Sequence, residues 1–324
     1  MGQPFSVNQN STDPATSDPV RLFFTLVSTF LREVFVVTIP DVPADDSFDG
    51  EVFLHFSRCG LPSEVVYKYS KGAAFMARCF YPHLDRDTQL FIGVWTSYIF
   101  SIDDLCEGAE FRENLKYYRA YLLGIHQPQW AYIRGLFSAL EDLCARYDPF
   151  VGDMILKSSM DYISVNVFEV EQKGRLKVDR NTSMFPEFLR QKSGIGEAYA
   201  FANFPKGGLD IASYITLIPD LAAIVPQLND IVSFYKESII GDEQDTNLML
   251  VSEVEGCSAT EALEMTIVKC LHSIRRLRAA CLRDADLRIV VDSFVEGFAL
   301  YHLKWSRYHM DDFGDFREWL LEGH

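Results

Sequence analysis

Three oxygen-bearing side chains, Asn229, Ser233 and Glu237, recur at four-residue spacing in the segment Asn229-Asp-Ile-Val-Ser233-Phe-Tyr-Lys236-Glu237. A helix carries residues i, i+4 and i+8 on one face, so the three converge. Hard cations such as Mg2+ take oxygen ligands in a near-octahedral set, which makes the trio a candidate metal site. Lys236, beside Glu237, could reach an anion that bridges to the same metal. The plain alternative is a polar stripe on an amphipathic helix. Leu228, Ile231, Val232, Phe234 and Tyr235 surround the trio with apolar side chains, and a polar stripe buried among them needs partners.

A second acidic cluster, Asp103-Asp104-Leu-Cys-Glu107, ends an apolar run over residues 91–102. Carboxylates at the C-terminal end of a buried helix oppose its dipole unless a cation sits there. Asp45-Asp46-Ser-Phe-Asp49 and Asp311-Asp312-Phe-Gly-Asp315 fit a D-D-x-x-D pattern better. These two fall in a Pro- and Asp-rich loop and near the C-terminus, where carboxylates are normally solvated. Arg307-Tyr308 places a guanidinium suited to bidentate phosphate recognition next to a phenol at the end of the last long helix. Alone, such a pair is more often a solvated helix end. Arg190 lies in Phe185-Pro-Glu-Phe-Leu-Arg190-Gln-Lys-Ser193-Gly194-Ile-Gly196. Glycines inside a helical pattern predict a kink or break there, whose freed backbone groups could face a ligand.

The elements that must position these residues are helices. Apolar residues recur at three- and four-residue spacing over 22–35, 65–80, 87–102, 110–123, 130–147, 152–171, 185–201, 211–217, 224–240, 259–287 and 288–308. No run of alternating strands joined by Asn-Gly or Asp-Gly turns occurs. The separators are short, and no linker, composition shift or repeat divides the chain. The expectation is one all-α domain over 19–324, of roughly ten to twelve helices, behind a disordered tail over 1–18.

Composition narrows the function classes. The chain of 324 residues is 48% hydrophobic and carries 25 Phe, 15 Tyr and 4 Trp, which suits either a large core or a cavity walled by rings. A formal charge of −16 repels phosphate backbones, so nucleic acid is not an expected partner. It is equally awkward for an anionic substrate, unless bound cations invert the local field. Seven cysteines without a C-x-x-C pair predict reduced thiols in an intracellular, cytoplasmic protein. Neither a signal peptide nor a membrane segment is expected, since 20–39 is interrupted by Arg21, Arg32 and Glu33 and 91–102 is too short to span.

Taken in order, residues 103–107, 185–190, 229–237 and 307–308 resemble the motifs of fungal class I sesquiterpene cyclases of the trichodiene synthase family. The resemblance covers nearly all of the chain after the tail, and Asn-Asp-x-x-Ser-Phe-Tyr-Lys-Glu is its most specific part. It implies a class I terpene synthase fold, a single helical bundle around a deep apolar cavity. It implies a cofactor of three Mg2+ ions, two bridged by Asp103 and the third held by Asn229, Ser233 and Glu237. Arg190, Lys236, Arg307 and Tyr308 would bind the diphosphate. Arg190 would also sense it, with Ser193 and Gly194 linking that contact to the helix break, and Tyr301 would be a cavity ring. The implied substrate is farnesyl diphosphate, ionised to an allylic cation and cyclised to a sesquiterpene hydrocarbon or alcohol with release of diphosphate. A homodimer is left open.

Two departures from the family pattern stand out. The aspartate motif ends on Glu107, and the chain ends soon after Arg307-Tyr308, which predicts an abbreviated C-terminal cap. A chain-elongating prenyl diphosphate synthase would carry a second aspartate-rich motif where Asn229, Ser233 and Glu237 stand. A protonation-driven cyclase would need D-x-D-D, which is absent. An acidic helical interaction protein would explain the composition but not the order of the four clusters.

Overall fold

The computed structural model describes residues 18–36, 39–125 and 130–314. The expected tail lies outside them apart from Asp18, which opens the first helix, and so does Asp315. Among the described residues there are helices and turns but no strand. The first half contains α1 (Asp18–Val34), α2 (Asp46–Phe56), α3 (Ser63–Phe80), α4 (Arg86–Leu105), α5 (Ala109–Leu115), α6 (Tyr118–Leu122), α7 (Ala131–Cys144) and α8 (Pro149–Gln172). The second contains α9 (Phe185–Ser193), α10 (Gly196–Phe201), α11 (Ile211–Tyr214), α12 (Ile218–Phe234), α13 (Asn247–Glu255), α14 (Ala259–Ala280) and α15 (Ala285–Lys304).

Local chemistry sets most boundaries. Asp85 caps α4 by accepting the Thr88 amide at 2.9 Å, and Ser258 and Glu261 cap α14 reciprocally. Each long helix then buries an apolar face. On α4 this is Ile92, Trp95, Ile99 and Ile102, and on α12 it is Leu221, Ile224, Leu228, Ile231 and Val232. Each such side chain contributes about 1.5–3 kcal/mol on leaving water. Helix α3 packs along α4, α2 and α15, whereas α12 packs along α14, α10 and α15. Helix α15 thus joins two layers, and methyl-free Gly297 lets it press on the Cys79 carbonyl of α3.

Several expectations are corrected. The loop expected around Asp45–Asp49 is helix α2, with Asp45 as its N-cap and Phe48, Val52 and Phe56 buried along one face. The acidic residues there have structural partners: Asp45 pairs with Arg86 at 2.8 Å and Asp49 with Arg78 at 2.9 Å. Helix α13 was not expected at all. The predicted helix over 110–123 is two short ones, and the last long helix ends at Lys304. Arg307-Tyr308 therefore sits beyond it, in a 3-10 turn over Ser306–Tyr308. The stretch Ile211–Ile239 is long and apolar enough to cross a membrane by length and composition. Its apolar face is part of the core, against α10, α14 and α15.

Candidate active site

Helices α3, α4, α8, α9, α10, α12 and α15 surround a cavity of about 1250 Å³. Phe80, Tyr162, Tyr199, Phe298 and Tyr301 line it and are buried, with the Phe80 and Phe298 ring centroids 4.4 Å apart. Asp103 and Arg307, which line the same cavity, are far more accessible, at 54% and 42% of their side chains. The apolar rings therefore form the interior, and Asp103 and Arg307 stand at the mouth.

The end of α4 supplies one wall of that mouth. Twelve buried positions hold α4 in the core, and its last turn has no basic residue to meet the dipole. Compensation comes from elsewhere in the chain. Arg307 lies 3.3 Å from Asp103 and 3.0 Å from Asp104. Lys68 and the Tyr69 hydroxyl reach Asp104 at 2.7 and 3.1 Å. Desolvation raises the Asp103 carboxyl, against the pull of Arg307. At Asp104 desolvation is outweighed by Lys68 and Arg307, which hold it below the usual carboxylate range. The same pair of aspartates overcomes the burial of Arg307 and keeps its guanidinium firmly protonated. Glu107 also lines the cavity, 59% exposed, with Lys173 at 3.5 Å.

The opposite wall is α12. Asn229 and Ser233 lie on its α-helical part, but Glu237 belongs to a π turn over Tyr235–Ile239, closed by the Ile240 amide on the Tyr235 carbonyl at 3.0 Å. The simple i, i+4, i+8 face is thus interrupted before its last member. All three still line the cavity, as does Lys236, which pairs with Glu237 at 2.8 Å. Single-turn π segments concentrate at functional sites because they re-aim a side chain without ending the helix.

Between the walls, α9 and α10 are separated at Gly194-Ile195, where Ile195 adopts a left-handed φ of 49°. The break is seated on α12. A methyl on Gly194 would come within 2.6 Å of the Pro226 ring, and one on Gly196 would collide with the Ala222 carbonyl oxygen. That oxygen faces Pro226 one turn on, which has no N–H to offer it. Arg190, one turn before the break, places Nη2 2.7 Å from Asp230, 2.9 Å from Asn229 Oδ1 and 3.4 Å from the Pro226 carbonyl. Its Nε is buried without a partner. Ser193 and Gly194 line the cavity beside it.

Arg307-Tyr308 joins the two walls. Arg307 is tied to Asp103 and Asp104, and the Tyr308 hydroxyl lies 3.4 Å from Asn229 Nδ2. One dipeptide thus spans the aspartate cluster and the Asn-Ser-Glu wall. Tyr301 packs edge-on to Tyr308 with centroids 6.2 Å apart, and it stacks on Trp305 at 6.0 Å.

Several lining residues escaped the sequence reading: Lys68, Tyr69, Glu169, Asp230, Asn247 and His302. Asp230 takes Asn247 Nδ2 at 2.8 Å as well as Arg190. Burial raises Glu169 to about 7, against Arg190 and Ser193. His302 is held at about 3 by burial, hence neutral. Only Asp230 and His302 had a usable signal, as isolated polar residues among apolar helix neighbours. No group of three or more His, Cys, Asp or Glu placed to hold a metal ion occurs among the described residues, because the two walls mix Asp and Glu with Asn and Ser.

The family model described as trichodiene synthase matches residues 67–318. An (E)-beta farnesene synthase of Metarhizium brunneum is 30% identical over 280 residues, 83% of each chain. Longiborneol synthase CLM1 of Gibberella zeae is 25% identical across 82% of this chain and 79% of its own. Among solved structures, hedycaryol synthase in complex with nerolidol superposes with a TM-score of 0.58 at 17% identity, covering 82% of this chain and 98% of that one. At that identity the likeness speaks for the all-α fold. The matched span contains all four motif clusters, and the chain belongs to the trichodiene synthase family of terpene synthases.

Proposed function

We propose that the cavity ionises farnesyl diphosphate with Mg2+ and cyclises the resulting cation to a sesquiterpene. The observation that carries this reading is the Arg307-Tyr308 turn, which ties Asp103 to Asn229 across the mouth of an aromatic cavity of about 1250 Å³. A diphosphate at that mouth would meet cationic groups from three elements: Arg190, Lys236 and Arg307. The relative named for farnesene and the family model named for trichodiene support a C15 substrate.

The donor set fits a hard divalent cation. The chain pairs these carboxylates with its own cations, Arg307 on Asp103, Lys68 and Arg307 on Asp104, and Lys236 on Glu237. Positive charge is therefore required at both walls, and oxygens alone are offered to it. Asp103 would hold metal on one side, and Asn229, Ser233 and Glu237 on the other, with three ions expected. Bound Mg2+ would supply Lewis-acid stabilisation of the negative charge that develops on the departing diphosphate.

The chain's own residues perform the remaining tasks. Arg190, Lys236, Arg307 and the Tyr308 hydroxyl orient the diphosphate and share its charge as the allylic C–O bond breaks. Phe80, Phe298 and Tyr301 face the cation left in the cavity, where ring faces stabilise positive charge and displace water. Ser193 and Gly194 connect Arg190 to the break packed on α12. The overall charge of −16 is then no obstacle, because the metals supply the field the protein lacks.

The test is incubation of purified protein with geranyl, farnesyl or geranylgeranyl diphosphate and Mg2+, scoring diphosphate release and volatile products. A cyclised C15 product from farnesyl diphosphate supports the proposal. An elongated prenyl diphosphate, or no release from any of the three, sinks it.

A further inference from the structure

His302 of α15 is 2% exposed and lies beside Asn229. Its Nδ1 is 2.8 Å from the Phe298 carbonyl one turn earlier, and its Nε2 is 3.2 Å from Asn229 Nδ2. A carbonyl only accepts, so Nδ1 carries the proton and Nε2 of the neutral ring is an acceptor. At the other end Arg190 Nη2 is 2.9 Å from Asn229 Oδ1, and a guanidinium only donates. The polarity of this chain is thus set from both ends. Arg190 donates to Asn229 Oδ1, Asn229 Nδ2 donates to His302 Nε2, and His302 Nδ1 donates to Phe298. Turning the Asn229 amide over would place NH2 against a guanidinium and oxygen against a ring lone pair.

We propose that His302 is a positioning residue that fixes the Asn229 amide with its oxygen toward the cavity, so that oxygen and not NH2 meets a divalent cation. The inference rests on the metal reading given above. While Arg190 stays on Asn229, the amide orientation is specified twice. Once Arg190 turns to a diphosphate, Oδ1 is released and His302 alone specifies the orientation. The Tyr308 hydroxyl, 3.4 Å from Nδ2, can donate or accept and does not discriminate. In this role His302 acts through Asn229. Its ring is held independently of that contact, stacked on Phe298 at 4.6 Å and tilted against Tyr308 at 4.5 Å by centroid.

The test is calorimetric titration of Mg2+ into full-length protein saturated with inorganic diphosphate, alongside the Mg2+ dependence of turnover. His302→Phe keeps the ring packing and removes the acceptor, and is expected to weaken Mg2+ binding about tenfold or more. At saturating Mg2+ its kcat stays within about twofold of the parent, whereas a merely structural lesion would lower kcat at every Mg2+ concentration. His302→Gln, which returns an amide oxygen near the Nε2 position, recovers most of the affinity. In an Asn229→Asp background either oxygen can face the metal, so His302→Phe should change Mg2+ affinity by no more than about twofold. If His302→Phe does not fold, His302→Asn, polar but too short to reach Asn229, carries the same expectations. Parent-like Mg2+ isotherms in the folded variant, or an equal loss in both backgrounds, overturn the inference alone. Parent protein that binds no Mg2+ with diphosphate and turns over without metal overturns the metal reading itself.

Discussion

Replacing Asp230 by Asn probes the buried charge on which Arg190 depends. Asp230 has 9% and Arg190 21% of its side chain accessible, and their ion pair measures 2.7 Å. Among the described residues Asp230 is the only carboxylate in an ion pair with this guanidinium, whose Nε has no hydrogen-bond partner. Removing one member of a buried pair leaves an uncompensated charge and costs about 3–5 kcal/mol. For a chain of this size each kcal/mol moves the midpoint by about 2 °C, so the ligand-free variant should melt about 6–10 °C lower. A diphosphate would return the missing counter-charge. Mg2+ with inorganic diphosphate should therefore raise the melting temperature more in Asp230→Asn than in the parent protein. Differential scanning fluorimetry, with and without these ligands, reads both effects. A variant that melts within about 1 °C of the parent, or gains no more from the ligands, would refute the role given to this pair.

Other perturbations give distinct signatures. Asp103→Asn and Glu237→Gln should each lower Mg2+-dependent turnover by about 10²-fold or more, with far-ultraviolet circular dichroism unchanged. Parent-like turnover in either would remove that residue from the metal set. Gly196→Ala drives a methyl into the Ala222 carbonyl and should cost about 1–3 kcal/mol in thermal or urea unfolding; an unchanged midpoint would show that the α9–α10 break is not seated on α12 as described. Glu169, raised to about 7 by burial, binds its proton more tightly folded than unfolded. Its contribution to stability is present at low pH and is lost as pH rises from the unfolded value of 4.5 through about 7. Glu169→Gln should therefore flatten the fall of melting temperature across that window, and a profile parallel to the parent's would contradict the assignment.

The place of Asn229, Ser233 and Glu237 along one cavity was legible because oxygen donors at four-residue spacing are anomalous in so apolar a segment. The break after Arg190 was legible for a similar reason, since Ser193-Gly194-Ile-Gly196 conflicts with the helical pattern around it. What escaped was either compositional camouflage or tertiary. In α2 the acidic residues hid the spacing of Phe48, Val52 and Phe56, although Asp45 is an ordinary N-cap. The π turn at Tyr235–Ile239 has no local signature, and it changes how Glu237 is aimed. The pairs Arg190–Asp230, Lys68–Asp104 and Asn229–His302 join residues far apart in sequence, so no spacing rule could have found them. The position of Arg307-Tyr308 was read as a helix end, yet the pair works from a turn beyond α15, which lets it reach both walls.

Metal-assisted ionisation of a prenyl diphosphate at this mouth is tested by diphosphate release from farnesyl diphosphate by protein stripped with a chelator, followed by readdition of Mg2+. No release above background is expected without metal, and full recovery with Mg2+, together with a volatile C15 product. Release that continues undiminished after stripping would rule out a metal-assisted ionisation.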